Sequence, residues 1–157
     1  VDQIRRLVCS YPVVKGIHDM VIHDYGPGRR MVTLHVEVDA AGDMLKIHDE
    51  IDNIERELGE KLRCQATIHM DPVEAENDTV RKLRGKTARL ASRVDQRLSI
   101  HDFRVVQGET HTNLIFDVVV PYDCPLKDEQ VVEQLSQGIE SFPGKYYAVI
   151  QVDRDLC

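Results

Sequence analysis

Ile68-His69-Met70-Asp71-Pro72 is the stretch whose reading decides the fold. With a period of two, Cys64, Ala66, Ile68 and Met70 fall on one face of a strand and Gln65, Thr67, His69 and Asp71 on the other. The first face belongs to a core. On the second, an imidazole and a carboxylate two residues apart point the same way, ~7 Å apart along the strand, close enough to share one metal ion or join two. Pro72 has no N–H to give to a ladder and is expected to end the strand. Taken alone, a His-x-Asp on a strand reads as a solvated polar face; the other histidines change that reading.

Upstream, Ile17 to Tyr25 and Met31 to Val38 are strand-like and meet at Gly26-Pro27-Gly28, which predicts an antiparallel hairpin. Val32, Leu34, Val36 and Val38 alternate with Thr33, His35 and Glu37, so His35 lies on the polar face. A four-residue turn from Tyr25 to Gly28 pairs His18 with His35, with Cβ atoms ~5 Å apart. A helix from about Asp43 to Lys61 carries Met44, Ile47, Ile51, Ile54 and Leu58 on one stripe, with His48 at its edge. A short helix from Asp2 to Ser10 precedes the hairpin. The order helix, strand, strand, helix, strand makes a small α+β sandwich.

The pattern then starts again. Asn77 to Arg97 reads as a helix with Val80, Leu83, Leu90, Ala91 and Val94 inward and its many arginines and lysines on a solvated face. Ser99-Ile100-His101-Asp102 echoes Gly16-Ile17-His18-Asp19. Strand Leu114 to Val120, helix Leu126 to Phe142 and strand Tyr147 to Asp153 complete a second unit, so an internal repeat is the economical reading. A turn centred on Glu109 sets Asp117 opposite His101. His48 then corresponds to about Glu129, His69 to Gln151 and Asp71 to Asp153. The expected fold is two tandem α+β units of order αββαβ, residues 1–75 and 76–157, of which the second has lost most of the imidazoles.

Composition narrows the function. In 157 residues with 42% hydrophobic content, no apolar run approaches the ~20 residues that cross a bilayer. A formal charge of −7 and a pI near 5.5 argue against nucleic acid and allow cations. Cys9, Cys64, Cys124 and Cys157 form no C-x-x-C pair, so free thiols in a reducing compartment are expected and a zinc ribbon is excluded.

Four motifs together, Gly16-Ile17-His18-Asp19, Leu34-His35-Val36-Glu37-Val38, Ile47-His48-Asp49 and Ile68-His69-Met70-Asp71-Pro72, resemble the cytoplasmic domain of cation diffusion facilitator transporters. Their order and spacing make the resemblance specific over Val1 to about Pro72. The second copy resembles that domain only in Ile100-His101-Asp102 and its element order, and a tandem copy departs from the family pattern. The resemblance implies that each unit is a ferredoxin-like, metallochaperone-like αββαβ domain, the first of them below a proton-coupled membrane exporter, on the cytoplasmic side. It further implies a homodimer, attached to the membrane-spanning part of the same transporter, that binds regulatory divalent cations. Its metal ligands match His18, His35, His48, His69 and Asp71. A helix on the far sheet face makes His48 the least secure of these.

Imidazole nitrogens with a carboxylate oxygen suit zinc, with Fe, Mn, Co, Ni and Cd as competitors, since such ligands discriminate weakly. Five ligands exceed what one tetrahedral ion uses, which points to two ions bridged by Asp71. His23 and His111 lack matching partners and are expected on the surface. A metal-dependent hydrolase would use similar ligands, but no nucleophile motif, phosphate loop or extra acid accompanies them, so no enzyme is expected. The alternative is a free-standing metal-binding or small-ligand sensor of ferredoxin-like fold.

Overall fold

The computed structural model describes residues 1–155; Cys157, one of the expected free thiols, lies outside them, while Cys9, Cys64 and Cys124 are unpaired. The chain divides into two compact units, Val1–Val73 and Glu74–Cys157, two residues before the division expected at 75. Unit 1 contains α1 (Asp2–Cys9), β1 (Gly16–Asp24), β2 (Arg30–Asp39), α2 (Met44–Leu62) and β3 (Cys64–Val73). Unit 2 contains α3 (Asp78–Val94), β4 (Ser99–Gln107), β5 (Thr112–Pro121), α4 (Asp128–Glu140) and β6 (Tyr146–Asp155). Each folds as an αββαβ unit of ferredoxin-like type.

In unit 1 the sheet order is β1-β2-β3, with β1 antiparallel and β3 parallel to the central β2. Parallel neighbours need a crossover, and α2 supplies it. Asp43 starts this helix: its carboxylate accepts from the backbone N–H groups of Leu45 and Lys46 at 3.1 and 3.4 Å. Arg63, in the left-handed region at φ 52°, ends it. Ile47, Ile51, Ile54 and Leu58 face the sheet and bury against Val32, Leu34, Val36 and Val38 of β2, with Ile4 and Val8 of α1 completing the core. Met44, expected on this stripe, is the first residue of α2 and stays 40% exposed. Both helices cover the face of the even-numbered β2 residues. Thr33, His35 and Glu37 therefore point to the helix-free face.

Two expectations about the strands need correction. Pro72 does not end β3, which continues to Val73 with Pro72 opposite Val38. β3 is an edge strand, and a missing N–H on the outer edge costs no ladder bond. The pairing of His18 with His35 is as expected, but for a different reason. The hairpin turn is centred on Pro27, with Tyr25 donating to the Arg29 carbonyl at 3.0 Å and Asp24 opposite Arg30. That register alone would set His18 against Val36. A bulge between His18 and Val21, where Asp19 adopts φ 50°, takes up one extra residue of β1 and sets His18 opposite His35. Asp tolerates this conformation better than most side chains.

Unit 2 repeats the plan. Its sheet order is β4-β5-β6 with the same directions, and its core joins Leu114, Phe116, Val118 and Val120 of β5 to Val80, Leu83 and Ala91 of α3 and Val131, Leu135 and Ile139 of α4. A bulge at Asp102, φ 53°, again sets His101 opposite Asp117 where the turn alone would not. The shared Ile-His-Asp is thus the sequence mark of a shared bulge.

Candidate metal centre

Register alone assembles the site of unit 1. His18 of β1, His35 of β2 and His69 of β3 form one row across the three strands, and Gly16, Glu37 and Asp71 form the next row on the same face. The two H-x-acid stretches, His35 to Glu37 and His69 to Asp71, lie side by side in parallel register. Neighbouring imidazole centroids are 4.9 Å apart for His18 and His35 and 4.6 Å for His35 and His69.

Asp71 is the hub. Its Oδ2 lies 3.1 Å from His18 Nε2 and 2.9 Å from His35 Nδ1, and its Oδ1 lies 3.3 Å from His69 Nε2. The other ring nitrogen of His18, Nδ1, stands 3.0 Å from Glu37 Oε2. Glu37 and Asp71 are buried, at 2% and 7% exposure, although both are acids. The imidazole of His18 is buried with them; that of His69 is largely in solvent.

Burial is the largest single influence on His18 and pulls its pKa down, but the bonds to Asp71 and Glu37 together outweigh it and hold the ring up at about 9. Burial likewise pushes Asp71 up, and the bonds from His18 and His35 more than reverse this, leaving the carboxyl below its usual range. Near neutral pH the buried His18 imidazolium thus faces the Asp71 carboxylate.

The donor set fits a divalent cation. Ligand atoms of His18, His35 and Asp71 all lie within 4.8 Å of one another, the only such group among the described residues. Donors at ~2.0–2.1 Å from a tetrahedral ion stand ~3.3 Å apart, so the 2.9 and 3.1 Å contacts to Asp71 need widen by only a few tenths of an ångström. Exchange of the His18 proton for a doubly charged ion would also raise the positive charge beside the buried Asp71 carboxylate.

Residues 1–73, the whole of unit 1, match the family model described as the cation efflux protein, cytoplasmic domain. Unit 1 matches that domain over its whole length. A search of curated proteins returned no match for the chain. The unit that matches a cation efflux cytoplasmic domain thus has its His and Asp row on the sheet face away from both helices. No helix among the described residues is long and apolar enough to cross a membrane.

Of the five residues expected as ligands, four converge on this face of unit 1. His48 does not join them. It sits on the exposed side of α2, across the sheet, with Nδ1 3.9 Å from Asp52 Oδ2. His23 and His111 are exposed and lie beside Tyr25 and Tyr147. Glu37 was missed as a site residue, although a signal existed: it repeats the His-plus-two spacing of Asp71 and faces Gly16, whose missing side chain leaves room for a carboxylate. A Cβ at Gly16 would stand 3.1–3.3 Å from the carboxylate atoms of Glu37. Gly16→Val should therefore push Glu37 off His18 and cost about 1–2 kcal/mol. A fall of the His18 pKa below about 9, followed by NMR titration, checks this; an unchanged His18 titration would contradict the Gly16–Glu37–His18 linkage.

In unit 2 the corresponding row is His101, Asp117 and Gln151, with Val119 in the place of Glu37 and Asp153 in that of Asp71. His101 turns to Ser99 Oγ at 3.2 Å. Burial, the strongest influence, pushes Asp117 above its usual range; Asp102 and Asp153 add to this and Arg104 opposes it.

Proposed function

We propose that the chain is the regulatory, dimerising cytoplasmic part of a divalent-cation efflux transporter, and that unit 1 senses a zinc-like cation through His18, His35, His69 and Asp71. The observation that carries this reading is the convergence of three ligand atoms within 4.8 Å on a face with two buried carboxylates. His18 Nε2, His35 Nδ1 and Asp71 would hold one ion. His69, more exposed and set against the other oxygen of Asp71, would complete that ion's shell or share Asp71 with a second. His48 stays outside and would contribute only as a peripheral ligand. The role of the ion is to replace charge and to fix three strands together, with no reaction to catalyse.

Glu37 would orient the site. By accepting from His18 Nδ1–H it would leave Nε2, once an ion displaces its proton, to give its lone pair to that ion, the usual arrangement of a carboxylate behind a metal-bound imidazole. Dimerisation follows from the same electrostatics: two chains of −7 repel, and cations at the acidic face relieve part of that charge. The membrane-spanning part of the transporter would receive the change as a closer approach of two lobes.

Zinc titration of the full chain against a competing chelator tests the reading, with light scattering on the same samples for mass. His69→Ala should weaken binding clearly, and His48→Ala and His23→Ala should leave it near the parent. Equal affinity in His69→Ala and parent would count against His69, and a chain without affinity for any divalent cation would overturn the reading as a whole.

Unit 2 should contribute no zinc site. The combined variant His101→Ala, Asp117→Asn, Asp153→Asn is expected to retain the zinc stoichiometry of the parent, measured by metal analysis after gel filtration. Loss of an equivalent of zinc from that folded variant would show instead that both copies bind.

A further inference from the structure

We propose that the outward face of α3 in unit 2 is a docking surface for an anionic lipid bilayer. The inner face of α3 is used up by the core, through Val80, Leu83, Thr87 and Ala91. On the outward side, Lys82, Lys86, Arg89 and Arg93 follow one another at spacings of four, three and four, which aligns them in one stripe ~16 Å long. All four are exposed, and among the described residues none of them pairs with a carboxylate. Lys86 instead stands over the ring of Phe142 at 4.9 Å. The neighbouring Arg81, Arg84 and Arg97 are all matched, to Asp78, to Glu76, and to Asp95 and Asp123. The four unmatched cations border two open concavities of about 510 and 460 Å³, the larger closed on one side by Tyr146.

The occupant follows from charge and shape. A chain of net −7 does not draw polyanions from a distance, so these cations act only within the screening length of ~8 Å at physiological salt. Their partner must already be close by. A bilayer meets that condition under the transporter reading given for unit 1, on which this choice of partner rests. A straight stripe on one face of a packed helix also meets a plane of headgroups along its whole length, whereas a nucleic acid is usually read by an element that enters a groove. Because the apolar face of α3 is buried in the core, contact is electrostatic, without insertion. Each basic residue held against an anionic leaflet is worth on the order of fivefold in partitioning.

Flotation of the full chain with lipid vesicles tests the proposal, in a chelating buffer so that no metal takes part. Vesicles of phosphatidylcholine mixed with phosphatidylserine should carry the chain, vesicles of phosphatidylcholine alone should not, and added salt should release it. The variant Lys82→Gln, Lys86→Gln, Arg89→Gln, Arg93→Gln should bind at least about tenfold more weakly. The variant Arg5→Gln, Arg6→Gln, Lys15→Gln, Arg29→Gln, which removes as many exposed charges from unit 1, should bind like the parent. If the fourfold α3 variant loses its helical circular dichroism, the single Arg89→Glu variant replaces it and should still bind severalfold more weakly. Parent-like binding by the α3 variants, equal binding to neutral vesicles, or binding to duplex RNA without binding to either vesicle would overturn the proposal. The zinc titration is read separately, so a failed metal site and a failed membrane surface remain distinguishable.

Discussion

Asp71→Asn should weaken zinc binding by at least about 100-fold, the largest effect expected of any single substitution in this chain. The change keeps the volume of the side chain and removes only its charge. Three imidazoles lean on this carboxylate, at 2.9 to 3.3 Å, and Oδ2 alone serves both His18 and His35. Asn would offer one neutral oxygen to them and a donor N–H₂ in place of the second, which no ring nitrogen can accept while it donates. The ion would lose a charged ligand, and the three rings would lose the group that sets their spacing. A second consequence follows for stability. Saturating zinc should raise the melting temperature of the parent, since a ligand at 100 times its Kd contributes about 2.7 kcal/mol, and should leave that of Asp71→Asn nearly unmoved. Calorimetric titration and thermal melts measure the two together. Parent-like affinity in the Asn variant would remove Asp71 from the site.

Zinc binding should strengthen by about tenfold per pH unit from near 6.5 up to about 9 and then level off. Imidazole protonation near its ordinary value would by itself set the fade at ~6.5, but His18 is held up at about 9 by Asp71 and Glu37. Over that window the metal-free site carries a proton that an ion must displace. The metal-free chain shows the opposite trend. A histidine whose pKa is raised on folding stabilises the fold fully below its unfolded value of 6.5, and that contribution, at most about 3 kcal/mol, is lost as pH rises through about 9. Alkaline pH should therefore destabilise the empty domain through His18 while it favours the loaded one. Titrations at pH 7.5 in buffers of different ionisation enthalpy should show about one proton released per ion. Release of none, with affinity flat from pH 6.5 to 9, would show that His18 is not a ligand.

The fold was legible because each element of the chain carries one clean period. Val32 to Val38 alternate without interruption, and Ile47, Ile51, Ile54 and Leu58 recur at helical spacing, so faces could be assigned before any contact was known. The details that escaped are those that depend on tertiary placement. Pro72 ends strands in the middle of sheets, and only the sheet order shows that β3 is an edge. The bulge at Asp19 offsets an error in the turn, so His18 meets His35 although the simple hairpin count was off by one. On the site, alternation shows which side chains share a face but not how deeply they sink. Asp71 read as a group on a polar surface, whereas it is buried beneath the imidazoles; Glu37 read as an ordinary outward acid, whereas Gly16 opens a space for it. The helix of His48 was already expected on the far sheet face, and the packing of α2 adds that the residue is exposed there, next to the buried Ile47.

Diffraction from zinc-soaked crystals of the full chain, recorded on both sides of the zinc absorption edge, tests the central claim most directly. The account predicts an anomalous difference peak between His18 Nε2, His35 Nδ1 and Asp71 on the helix-free face of the first sheet, and none in the row of His101, Asp117 and Gln151. A peak at a cysteine or at His48 alone, with that three-residue cluster empty, would contradict it.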